Sequence, residues 1–77
     1  MESRIKTIMA NVFLIDESEI KENASPDSIP QWDSIGHLNL ITSLEEEFDI
    51  IFSEEQIIEM LNLPLVIEIT REAVNSK

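Results

Sequence analysis

Apolar residues in this chain recur at every third or fourth position, most of the runs open on a residue that favours a helix start, and no segment alternates with the period of a strand. Ile5, Ile8, Met9, Val12 and Phe13 mark a first amphipathic helix over roughly residues 3 to 15, ending near Asp16. Asp33 can cap a second helix running from about Ser34 to Phe48, seated by Leu40, Ile41, Leu44 and Phe48 and closing in the acidic run Glu45-Glu46-Glu47. Ser53-Glu54-Glu55-Gln56 has the spacing of a capping box and opens a short third helix through Ile57, Met60 and Leu61. Pro64 fits the first turn of a fourth helix carrying Val66, Ile67, Ile69, Ala73 and Val74. The expectation is an all-α protein, a small four-helix bundle with a long loop between helices 1 and 2, forming one domain over residues 1–77. That loop, Asp16 to Trp32, holds Pro26, Pro30 and several Ser and Asp residues. Ile20 and Ile29 are expected to pin it to the core and Trp32 to close its end, so that it positions the segment that follows.

A chain of 77 residues buries only about 60% of its unfolded surface, which leaves one modest core and no room for a deep catalytic cleft. An enzyme is not expected. With 16 acidic and 5 basic residues the net charge is −11, a field that repels nucleic acid and anionic membrane surfaces and favours partners with basic docking surfaces. The plainer counterpart is a well-hydrated surface, which composition alone also allows. No cysteine is present, so there is neither a disulfide framework nor a thiolate metal site. The only glycine lies within a helical run, and no calcium loop of alternating oxygen ligands can be written around it. No metal is expected. No apolar stretch is long enough to span a bilayer and Met1-Glu2-Ser3 begins no secretory signal, so the cytoplasm is the expected address, and a monomer is the expected state.

The second helix carries more apolar surface than seating requires. Ile35, Leu38 and Thr42 form a second stripe at i, i+3 and i+7, displaced around the axis and running away from Ser34. A wide buried face would absorb both stripes; the functional reading is an exposed docking strip rimmed by Asp33, Glu45 and Glu46. Behind an Asp33 cap, Ser34 falls in the first helical turn with its hydroxyl outward, accessible to another protein's active site. By itself the Asp-Ser pair requires no more than a cap followed by a good first-turn residue.

The Asp33-Ser34-Ile35 triplet, the apolar spacing behind it, the Leu44-Glu45-Glu46-Glu47-Phe48 run and the short capped helix that follows resemble an acyl carrier protein, or the related carrier domain of modular synthases, over nearly the whole chain. The resemblance implies that Ser34 is an acceptor rather than a catalyst. A phosphopantetheinyl transferase would install on it a 4′-phosphopantetheine arm from coenzyme A, whose thiol holds acyl or aminoacyl groups as thioesters for loading and downstream synthase enzymes. It also implies that Ile35, Leu38, Thr42, Glu45 and Glu46, with Asp33 at the rim, meet those enzymes. Leu44, Ile57 and Met60 would line a shelter for an acyl chain; packing as plain core is their other role. The start of the second helix suits the implied phosphodiester, since its dipole favours an anion there.

Two departures stand out. Gly36 and Asn39 occupy positions where carriers of fatty acid synthesis usually have acidic residues, so different partners are expected, and the Gly36-His37 sequence after the triplet resembles freestanding carriers of specialised pathways such as polyketide, nonribosomal peptide or surface-glycan assembly. Gly36 in a first helical turn is either tolerated there, at about 1 kcal/mol relative to alanine, or marks close approach of a partner backbone or of the arm. His37, the single histidine, has no nucleophile or ligand set beside it and reads as structural. A serine hydrolase would need a glycine-rich elbow and a base, neither of which flanks Ser34. A small acidic helical adaptor without modification is the rival reading; fatty acid synthesis and D-alanine carriers differ from the expected protein only in cargo.

Overall fold

The computed structural model describes residues 1–77, with helices α1 (Glu2–Phe13), α2 (Ser34–Phe48), α3 (Glu54–Glu59) and α4 (Leu63–Asn75), a short 3-10 turn at Glu17–Glu19, and no strands. α1 and α2 lie antiparallel. Arg4 near the start of α1 pairs with Glu47 near the end of α2, its guanidinium 4.7 Å from the centre of the Phe48 ring. At the other end the rings of Phe13 and Trp32 are 5.7 Å apart. The expected apolar stripes close between them: Ile5, Met9 and Phe13 from α1 and Leu40, Ile41, Leu44 and Phe48 from α2 are all buried. Leu63, Val66, Ile67 and Ile69 of α4 complete the same core.

Local hydrogen bonds explain where the helices begin. Asp33 Oδ1 accepts the Gly36 N–H at 2.8 Å. Ser53 Oγ accepts from Gln56 N–H at 3.1 Å while Gln56 Oε1 accepts from Ser53 N–H at 2.8 Å, the reciprocal pair of a capping box. Asn62 Oδ1 caps α4 through the Leu65 N–H at 2.9 Å, one residue before the expected helix is visible in the apolar pattern. Helix ends are less regular. α1 stops at Phe13, two residues short of its expected end, because Leu14 turns left-handed at φ 57°. Ile15 N–H then reaches back to the Ala10 carbonyl. Asp49 does the same after α2, at φ 55°, with Ile50 N–H bonded to the Glu45 carbonyl.

The long loop is held as expected and in one further place. Ile20, Ala24, Ile29 and Trp32 are buried, and the Leu63 N–H donates to the Ala24 carbonyl at 2.8 Å, joining the middle of the loop to the first turn of α4. Its last residues pass over the start of α2 so closely that a Cβ at Gly36 would lie 2.1 Å from the Gln31 carbonyl oxygen. Gly36 is therefore needed for the approach of the chain's own backbone, a reason outside both readings of its sequence.

Candidate functional site

Ser34 is the first residue of α2, exposed, with Asp33 beside it committed to the cap. The first N–H groups of a helix have no intrahelical acceptors, and Asp33 occupies only that of Gly36. The remaining donors and the positive end of the helix dipole make the position next to the Ser34 oxygen hospitable to a phosphodiester. An open groove of about 380 Å³ adjoins the serine, lined by Ser34 and His37 on one side and by Ile57, Ile58, Met60 and Leu61 on the other. An exposed hydroxyl, a helix start and an adjacent groove fit an attached linear arm.

The second stripe of α2 is not buried. Ile35 is 72% and Leu38 58% exposed, and Thr42, also exposed, turns its hydroxyl back to the Leu38 carbonyl at 3.0 Å. Ile58 and Leu61, on the far wall of the groove, are exposed as well, at 72% and 63%. Glu46 projects into solvent, whereas Glu45 is half-buried and its Oε2 accepts the Phe52 N–H at 2.9 Å, fixing the turn between α2 and α3. The three residues expected to shelter an acyl chain are divided. Ile57 and Met60 line the groove; Leu44 is fully buried in the core and does not reach it.

His37 joins three elements at this site. The Trp32 indole N–H donates to His37 Nδ1 at 2.9 Å, which leaves the proton on Nε2, and Nε2 lies 2.9 Å from the Ile57 carbonyl. The ring is thus a neutral Nε2–H tautomer donating to α3. α3 has only six residues, and its last carbonyls have no intrahelical donors, so His37 supplies one of them from α2. The apolar pattern extended α3 through Met60 and Leu61; it ends at Glu59, with Leu61 N–H bonded to the Glu59 carbonyl instead. Sequence reasoning identified His37 as structural but not its partners, because Ile57 is twenty positions away.

These features describe an all-helical bundle of four helices that presents an exposed serine at the start of the second. The particular fold is that of an acyl carrier protein: the holo acyl carrier protein of Geobacter metallireducens superposes with a TM-score of 0.87 at 25% identity, over 97% of this chain and 86% of that one. A chain in the structure of the ishigamide ketosynthase/chain length factor superposes with a TM-score of 0.75 at 23% identity, over 96% of this chain and 93% of its own length, and shows the same fold. No family model matches the sequence.

Proposed function

We propose that this chain is an acyl carrier protein that works through a 4′-phosphopantetheine arm on Ser34, and that it transports cargo rather than catalysing a reaction. The observation that carries the reading is the exposed Ser34 in the first turn of α2, behind its Asp33 cap, in a chain whose fold matches a holo acyl carrier protein along nearly its full length. Attachment exchanges the serine O–H bond for an O–P bond. The proton leaves, and coenzyme A loses its nucleotide half as adenosine 3′,5′-bisphosphate. Bound there, the arm supplies a thiol that carries acyl or aminoacyl groups as thioesters.

The residues of this chain hold and present. Asp33 fixes the helix start, so Ser34 is offered from a rigid turn. Ile35, Leu38 and Thr42 form the strip that the transferase and the synthase enzymes read, with Asp33 and Glu46 as its acidic rim and Glu45 setting the turn beside it. Ile57 and Met60 border the groove along which the arm can lie. Exposed Asn39 leaves the face near Ser34 less acidic than in carriers of fatty acid synthesis, and the Gly36-His37 sequence resembles freestanding carriers, which together support partners of a specialised pathway, in polyketide, nonribosomal peptide or glycan assembly. No helix is long and apolar enough to cross a membrane.

The test is the intact mass of the purified chain before and after incubation with a broad-specificity phosphopantetheinyl transferase and coenzyme A. One phosphopantetheinyl increment is expected on the natural chain and none on Ser34→Ala, which should keep its fold because exposed substitutions away from packing cost within about 0.5 kcal/mol. A folded natural chain that gains no mass would reverse the reading in favour of an unmodified acidic adaptor.

A further inference from the structure

The groove beside Ser34 lies along the seam between α2 and α3, with His37 on one side and Ile57 and Met60 on the other, so the direct route for a chain attached at Ser34 into the core runs through that seam. Its way in would pass His37, which spans that seam with both ring nitrogens engaged, one to Trp32 and the other to the Ile57 carbonyl. Opening the seam would part His37 Nε2–H from the Ile57 carbonyl, in a region already half withdrawn from water, while the Trp32 indole N–H holds the imidazole in place from the other side. Behind the seam the side chains are tightly closed: Leu40 and Leu44 are inaccessible to solvent and Met60 is 1% exposed. In front of it lies the open groove, with Ile58 and Leu61 on its outer wall.

We infer that His37 acts as a bolt across the α2–α3 seam, so that the cargo is held at the surface along Ile57, Ile58 and Leu61 and is not sheltered beside Leu44. This rests on Ser34 being the carrier site, and it names the cargo class: short acyl or aminoacyl groups that need no concealment from water. Each methylene leaving water favours a hidden state roughly fourfold, so long chains would show a steep length dependence if they entered the core. Surface carriage gives little.

The experiment loads the chain with acetyl and octanoyl groups, using the corresponding acyl-coenzyme A and a broad-specificity transferase, and confirms loading by intact mass. Absence of a mass gain would remove the carrier reading itself. On loaded protein, methyl NMR shifts and thioester cleavage by hydroxylamine are followed. Expected are shifts at Ile58 and Leu61, unmoved Leu40 and Leu44 resonances, and cleavage of the two thioesters within about twofold of each other, far from the fourfold per methylene of a buried chain. Octanoyl shifts at Leu40 and Leu44 with cleavage slowed about tenfold or more, or no shift at either set, would overturn the inference. In His37→Ala the octanoyl response should move to Leu44 and cleavage should slow. Trp32→Phe, which keeps an aromatic ring but removes the indole donor, serves the same purpose if His37→Ala does not fold. A folded bolt variant whose Leu44 stays unmoved would exclude His37 as the barrier.

Discussion

An alanine methyl at position 36 would meet the Gln31 carbonyl oxygen at 2.1 Å and Asp33 Oδ1 at 3.3 Å, and the first of these is backbone that yields only if the loop end moves. Gly36→Ala should therefore destabilise the chain by about 1–3 kcal/mol, as overpacking does, despite alanine's better helix propensity. Chemical denaturation of the two proteins measures it; an alanine variant as stable as the parent would mean that the loop end gives way freely. Thr70 should respond in the opposite direction. It is fully buried in α4 and its hydroxyl has no hydrogen-bond partner, so Thr70→Val, of nearly the same shape, should remove a desolvation penalty of about 1 kcal/mol. For a domain of this size that corresponds to a rise of roughly 4–8 °C in Tm. Calorimetry decides, and a lower Tm would refute the orphaned hydroxyl. The Asp33 cap and the Ser53 capping box were legible in the sequence because their bonds join residues three apart. The crowding at Gly36 was not, because it depends on where a loop of many residues returns to the helix.

Among the elements, α2 was the most legible, since its core stripe, its cap and its second stripe all lie within one continuous run. The end of α1 was less so: both left-handed stops fall on non-glycine residues, Leu14 and Asp49, which give no sequence warning. α3 is shorter than its apolar pattern because the backbone leaves the helix at Met60, φ −78° and ψ 71°, where the side chain is still buried, and Leu61 N–H turns back to the Glu59 carbonyl. On α2, Leu38→Glu and Glu46→Lys should each slow modification of Ser34 at unchanged stability, since both side chains are exposed and neither bonds another element. Glu45→Lys should in addition lose stability, by about 1 kcal/mol or more, because it deprives the Phe52 N–H of its acceptor. Initial rates of mass gain alongside thermal melts separate these effects; unchanged rates in both Leu38→Glu and Glu46→Lys would abolish the docking strip.

At the scale of the whole molecule, a net charge of −11 is carried on a body of 31 × 22 × 19 Å, so no surface point is far from uncompensated carboxylates. Association with a basic transferase should be fastest at low salt and slow as ionic strength rises toward physiological, where the screening length is about 8 Å. Modification rates at subsaturating carrier across a salt series test this, and a flat series would exclude electrostatic steering. Charge and size were fully legible in composition; the joining of loop, α2 and α3 through one imidazole was not, because it is a property of three segments brought together. That junction makes the molecule self-reporting. Trp32 is the only tryptophan and there is no tyrosine, so long-wavelength ultraviolet emission from this chain comes from one indole, buried, bonded to His37 and two positions from Ser34. The colour and intensity of that emission can follow unfolding, movement of α3 and events at the serine without any attached dye.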